Sequence, residues 1–428
     1  MKRKIVGFFV CTLLIAPIIP VGKHATDTYN PLNGGWIEER DGIKILHLNG
    51  SFYEMGYQMG YFLKYEILIN LRALKQYNSI NESIRLWNIQ KHYISNEIVN
   101  YTQGIADAIE LSFDDVGFIW IWETTCNNSG CTSYIADGPA TKSHELIHVY
   151  SNDYPFRPTD PITGHCMLDD PVLIVVKPDN GYAFMYPTFA GYIGESGVNE
   201  KGISISNLFS ETNDENDYGT PVLIRIFEAL IHASNIKDVT DILNENRTYG
   251  YNFLVSDVNK NQGYVVEQTA DHTYTGIWND TCESKRPFYQ LNYIVRRTNH
   301  FINPETAATQ RVYYNLKDVR YLFHFNFGWI FEWYRYKAVS NGCQKYIGDL
   351  DLNNALSLIG DFYLGKYGGM MWYIIKHTYL KNDNAWLQWS YSPKTGDMFI
   401  CYASKDKMPS QNPIHHFNFF ELLESEPP

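Results

Sequence analysis

The stretch Thr124-Thr125-Cys126-Asn127-Asn128-Ser129-Gly130-Cys131-Thr132-Ser133-Tyr134 is where the structural period of the chain changes. Upstream, Val116, Phe118, Ile119 and Ile121 follow a helix-start signal, Ser112 and Asp115. Residues 124–130 are small and polar, which is loop composition. From Cys131 onward the residues suit strands. Cys131–Ala136, a turn around Asp137–Glu145 and Leu146–Asn152 read as a first hairpin.

Working outward, the segment from about Asn49 to Trp122 reads as helical. Ser51 and Glu54 have capping-box spacing, and Met55, Met59, Phe62, Leu63, Ile67 and Ile69 recur at helical intervals. Downstream, hairpins join Pro171–Lys177 to Tyr182–Pro187, and a strand near Tyr192 to Ile203–Phe209. Two amphipathic helices follow, Val222–Ala233 and Ile236–Asn244. Strands return at Tyr251–Ser256 and Gly263–Gln268, and a last hairpin joins Trp386–Ser392 to Asp397–Tyr402. Blocks of antiparallel strands separated by helix pairs predict an α+β fold with helices covering sheets.

The 428 residues carry a formal net charge of -12, and no Lys/Arg block occurs beyond the first four residues, which excludes a nucleic-acid partner. Lys2, Arg3 and Lys4 precede an uncharged apolar run, Ile5–Val21, so residues 1–22 read as a signal peptide or membrane anchor. This predicts an exported protein, extracellular or anchored on the outer face, with membrane association possible through residues 5–21. Seven cysteines show no C-x-x-C pair, and neither His415-His416 nor His165-Cys166 has ligand spacing, so no metal or cofactor is expected.

The chemistry converges on Cys131. Gly130 tolerates the strained backbone that an N-to-S acyl shift needs. Cutting Gly130–Cys131 would free an α-amine with a reference pKa of about 7.7–8.0. That amine can serve as base for its own thiol. The midpoint between positions 131 and 153 is 142, inside the first turn, so antiparallel pairing returns Ser151–Asp153 beside Cys131. Asp153 can then orient the amine. Asn252, at the head of its strand, and Asn207 are candidate oxyanion donors.

Several stretches together resemble the acyl-coenzyme A:6-aminopenicillanic acid acyltransferase family: GSFYEMGYQMGYFLKYE (Gly50–Glu66), GCTSY (Gly130–Tyr134), LIHVYSNDYP ending at Pro155, SGVNEKGISISN (Ser196–Asn207), YNFLVSDVNKNQGYVVE (Tyr251–Glu267), TNHF (Thr298–Phe301) and the C-terminal WLQWSYSPKTGDMFICYAS hairpin. These are cysteine-type N-terminal-nucleophile (Ntn) hydrolases with an αββα sandwich, related to conjugated bile acid hydrolases and acid ceramidase. The resemblance implies that Cys131 is an autoprocessed nucleophile and that Asp153 contacts its amine. It makes Asn252 the oxyanion-hole residue, with Asn207 a further contributor. Residues 23–130 become a helical pro-segment, kept after cleavage as a bound α chain, and residues 131–428 the catalytic domain. The substrate is then a small-molecule or lipid-like amide. Tyr150 departs from the family pattern, which carries Arg there. Two other readings stay open: a papain-like protease pairing Cys131 or Cys126 with His300, and an exported, inactive binding or scaffold protein on the same fold.

Overall fold

The computed structural model describes residues 30–126, 130–280, 282–284, 288–311, 328–378 and 385–427. The leader at residues 1–22 lies outside them. Residues 31–428 form one compact unit, so the segment before Cys131 and the strands after it share one body.

Among the described residues, that unit is built on two sheets. The larger has nine strands in the order β1 (Trp36–Arg40), β2 (Ile43–Gly50), β5 (Pro171–Pro178), β6 (Phe184–Phe189), β7 (Ser196–Asn199), β8 (Ile203–Phe209), β9 (Tyr251–Asp257), β10 (Gln262–Gln268) and β11 (Thr273–Gly276). The smaller has six: β12 (Ile294–Arg297), β3 (Gly130–Ala136), β4 (Ile147–Asp153), β13 (Ala385–Tyr391), β14 (Asp397–Tyr402) and β15 (His415–Asn418). β3 packs on β8 and β9, and β12 on β10, so the sheets lie face to face.

Helices cover both outer faces. α1 (Phe52–Phe62), α2 (Lys64–Leu74), α3 (Ile80–Gln90), α4 (Asn96–Ile109) and α5 (Phe113–Thr125) precede the junction. α1 lies on β2 and β5; α6 (Val222–His232) lies on β7 and β8, and α7 (Ile236–Asn244) on β9 and β10. After α8 (Pro304–Ala308), α9 (Gly328–Tyr346) meets β12, and α10 (Leu352–Tyr363) meets β4, β13 and β14. α11 (Gly369–Thr378) packs on α9, and α12 (Phe419–Glu424) closes the chain. This is the expected αββα sandwich.

The segment before Cys131, expected to be helical, also contains strands. β1 and β2 add two strands to the larger sheet, and β2 runs parallel to β5. β2 is buried on both faces, Ile43 and Ile45 on one and Leu46 and Leu48 on the other, as suits a strand inside a sheet that is covered on both sides. Within the segment before Cys131 the helices pack closely. A Cβ at Gly56 would sit 2.0 Å from the Tyr101 carbonyl oxygen, so only glycine lets α1 approach α4.

Between the sheets lies a buried polar seam. His148 pairs through Nδ1 with Ser204 Oγ at 2.7 Å and through Nε2 with Ser206 Oγ at 2.8 Å. Burial pushes its pKa down to about 3, so the ring is neutral and the seam carries no charge.

Candidate active site

The β3–β4 hairpin sets the frame. Gly130 pairs with Asp153, Cys131 with Asn152 and Ser133 with Tyr150, so Ser151–Asp153 return beside Cys131 as expected, with the register one residue from the one centred on position 142. Gly130 is a strand residue here, and a Cβ on it would lie 3.4 Å from Arg335 Nη1. The glycine leaves that side of the peptide open to a guanidinium.

Arg335, on α9, is the centre of the backbone grip. Its Nη2 donates to the Cys131 carbonyl oxygen at 2.8 Å, to Thr132 Oγ1 at 3.0 Å and to Asp153 Oδ2 at 3.2 Å. Its Nη1 donates to Asn299 Oδ1 at 2.7 Å and Glu332 Oε1 at 2.9 Å. Asn299 Oδ1 also accepts the Cys131 N–H at 2.7 Å. Asp153 is further held by the hydroxyls of Ser151, at 2.7 Å, and Tyr363. Thus the nitrogen and the carbonyl of Cys131 are each held by a side chain from another element.

The thiol faces a second, uncharged-donor environment. Tyr150 Oη donates toward Cys131 Sγ at 3.6 Å and lies 3.2 Å from Glu195 Oε2. Glu195 also accepts from Asn152 Nδ2 at 2.8 Å, Tyr154 Oη at 2.5 Å and the Tyr192 hydroxyl. Glu123, on α5, accepts from Asn207 Nδ2 at 3.2 Å. Burial, then the Glu195 carboxyl, pushes Glu123 well above the usual carboxylate range. Burial raises Glu195 too, against the hydrogen bonds of its three tyrosines and Asn152. Cys131 is 1% exposed, and burial, Glu195 and Asp153 push its thiol upward.

The two asparagines read from sequence lie at the site with their amides engaged. Asn207 Nδ2 faces Glu123, and its Oδ1 lies 3.5 Å from Tyr150 Oη. Asn252 Nδ2 is 2.9 Å from Ser210 Oγ and from the carbonyls of Thr298 and His300. Asn252 therefore pins the turn that presents Asn299. Glu267 fixes the same loop from the far side by accepting the Ile302 and Asn303 N–H groups, each at 3.0 Å. His300 is buried, its Nδ1 2.9 Å from Thr298 Oγ1, and burial with Arg297 and Arg335 pushes its pKa down to about 3. A neutral, buried imidazole does not form the thiolate–imidazolium pair of a papain-like protease.

Sequence reasoning missed Arg335, Asn299, Glu195, Glu123 and Tyr363. Asn299 stood inside the quoted TNHF stretch, beside the His300 that was considered, and its position between two pinned residues was its only signal. Arg335, Glu123 and Glu195 look like ordinary surface residues in one dimension.

Residues 159–321 match the sequence model of the acyl-coenzyme A:6-aminopenicillanic acid acyl-transferase family. A protein of Archaeoglobus fulgidus described as uncharacterized is 22% identical over 377 residues, 77% of this chain and 59% of that protein. The chain thus spans about three fifths of the length of the curated relative it matches. Among solved structures, a mutant conjugated bile acid hydrolase of Clostridium perfringens aligns with 13% identity and a TM-score of 0.40, covering 68% of this chain and 93% of that one. Penicillin V acylase of Agrobacterium tumefaciens aligns with 11% identity and a TM-score of 0.36, covering 67% and 91%. With the match over residues 159–321 and the motifs that surround it, the family this chain resembles is the acyl-coenzyme A:6-aminopenicillanic acid acyl-transferase family.

Proposed function

We propose that this protein is a cysteine Ntn amidohydrolase or acyltransferase that cuts itself at Gly130–Cys131 and then attacks linear amide bonds through Cys131. One observation carries the reading: the Cys131 nitrogen is held by Asn299 and its carbonyl by Arg335, while Asp153 stands across the strand pair. Holding both ends of the backbone fixes the place of the amine that cleavage would release. Asn299 and Asp153 would then orient that amine, and the Arg335 cation would disfavour its protonation. The neutral amine takes the thiol proton, and the thiolate attacks the substrate carbonyl. The protonated amine gives its proton to the leaving amine, and water or another amine resolves the thioester. Asn207 is the proposed oxyanion donor; Asn252 acts by holding Asn299 in place. Residues 23–130 stay bound as the α chain through the pairing of β2 with β5 and the packing of α1 on β5 and α5 on α6. The substrate class is a small or lipid-like amide, and the basic leader with its apolar run supports export.

The test is intact mass after expression with the leader in a secreting host. Wild type is expected to yield fragments beginning at Lys23 and Cys131, with amidase or acyl-transfer activity. Cys131→Ala is expected to give one uncut, inactive chain. Burial of the thiol favours a second reading, an inactive binding or scaffold protein. A wild-type chain that stays uncut across pH would establish that reading instead.

A further inference from the structure

Before cleavage Cys131 has no amine. Its nitrogen is an amide whose hydrogen is committed to Asn299 Oδ1. An amide cannot take the thiol proton, so the first cut needs another base. Asp153 is poorly suited, because Arg335, Tyr363 and Ser151 already occupy its carboxylate. His148 and His300 are bound into other networks.

Tyr150 links the thiol to a different acid. Its hydroxyl has one hydrogen and three competing acceptors, Cys131 Sγ at 3.6 Å, Asn207 Oδ1 at 3.5 Å and Glu195 Oε2 at 3.2 Å, while its oxygen accepts from Asn152 Nδ2 at 3.1 Å. A carboxylate is the strongest acceptor, so an ionised Glu195 draws that hydrogen to itself. The oxygen of Tyr150 is then turned to receive a proton from sulfur. When Glu195 carries a proton the direction reverses, and the Tyr150 hydrogen is free to stabilise a thiolate.

We infer that, in the uncut chain, Glu195 accepts the Cys131 thiol proton through Tyr150 and so starts self-cleavage. The inference rests on the self-cleavage proposed above. The thiol proton passes to the Tyr150 oxygen as the Tyr150 proton moves to Glu195 Oε2. One negative charge moves from carboxylate to sulfur, and no charge is added to the buried cluster. The thiolate attacks the Gly130 carbonyl carbon, the C–S bond forms and the C–N bond to Cys131 breaks. The departing nitrogen gains one proton, which balances the one stored on Glu195. Water then hydrolyses the thioester, one of its protons returning to sulfur and the other leaving to solvent, which gives a Gly130 carboxylate, a free thiol and an amine that serves as base in every later turnover.

The surroundings of Glu195 suit this role. Tyr150, Asn152 and Tyr154 face it from β4 and the residues after it, and Tyr192 from its own loop. Glu123 and Cys126 lie on the α5 side, where Glu195 pushes both upward, and Cys131 on β3. Arg225 is the cation on the far side of Glu123, and Asp153 lies beyond Cys131. Glu195 thus sits among neutral donors and a second acid, with no direct ion pair among the described residues, and so keeps a high proton affinity.

The test uses the full chain made by pulsed cell-free synthesis, with the cut fraction followed by intact mass from about pH 5 to 9. Acid–base assistance of this kind is worth about 10²-fold, so Tyr150→Phe and Glu195→Gln are each expected to slow cutting by about that factor. Wild-type cutting should speed up with pH as Glu195 ionises; Glu195→Gln should lose that rise, and Glu195→Asp should regain part of the rate. Near-UV circular dichroism checks folding, and if Glu195→Gln fails to fold, Tyr150→Phe decides alone. Wild-type rates and pH profile in both variants would overturn the relay and leave the Cys131 assignment standing. A wild-type chain that never cuts would remove both.

Discussion

Cys131 stands between two buried acids that the fold treats in opposite ways. Asp153 is met by a guanidinium, two hydroxyls and an opposing strand, and the grip continues through Asn299 to the Cys131 backbone. Glu195 is met by three tyrosines and an asparagine, with Glu123 as its acidic neighbour. The first environment holds geometry. The second raises a carboxyl's affinity for a proton. Tyr150 brings no positive charge beside Cys131, and the cation here, Arg335 on α9, meets the Cys131 backbone carbonyl.

The contrast can be broken most severely at Arg335. Arg335→Met would leave Asp153 and Glu332 without their cation, and removing one partner of a buried ion pair costs about 3–5 kcal/mol. Urea denaturation of the Cys131→Ala chain, with and without this change, should show a loss of that size, with Arg335→Lys between the two. An equally stable Arg335→Met chain would mean that the grip contributes little.

A smaller effect is expected at Asn252. Asn252→Ala removes the amide that ties the Thr298 and His300 carbonyls, worth about 1–3 kcal/mol for buried acceptors left unpaired. Hydrogen exchange should rise at residues 298–300, and turnover should fall because Asn299 loses its placement. Unchanged exchange there would separate Asn252 from the Asn299 turn.

The smallest expected change is a dependence on pH. A carboxyl whose folded pKa lies above its unfolded value near 4.5 binds its proton more tightly when folded. Its contribution to stability is full below that value and is lost as pH rises toward the folded pKa. Glu195→Gln removes this loss, so the variant should gain stability relative to wild type as pH rises above about 4.5. Thermal melts in the Cys131→Ala background measure it. A difference that is flat with pH would place Glu195 among ordinary carboxylates.

Much of the scaffold was legible in one dimension. Ile203–Phe209, Ile236–Asn244 and Asp397–Tyr402 occur with the predicted bounds, and the hairpin count brought Asp153 to the junction. β1 and β2 were missed because they precede the capping box at Ser51, where the reading began. The third hairpin's first strand lies at Ser196–Asn199 rather than near Tyr192, because the Gly191–Glu195 loop carries Tyr192 and Glu195 into the core beside Cys131.

The sequence by itself determined which segments are strands and helices, where the period changes, and that Gly130–Cys131 opens a strand across from Asp153. Side-chain periodicity is local, so a few residues suffice to encode it. Only the tertiary structure decided which charges gather around Cys131. Arg335 and Glu195 are far from Cys131 along the chain, Glu123 lies across the junction, and their residue types by themselves suggest solvent. Stacking two sheets between helix layers buries them together, and burial turns an arginine into a backbone clamp and a glutamate into a proton store.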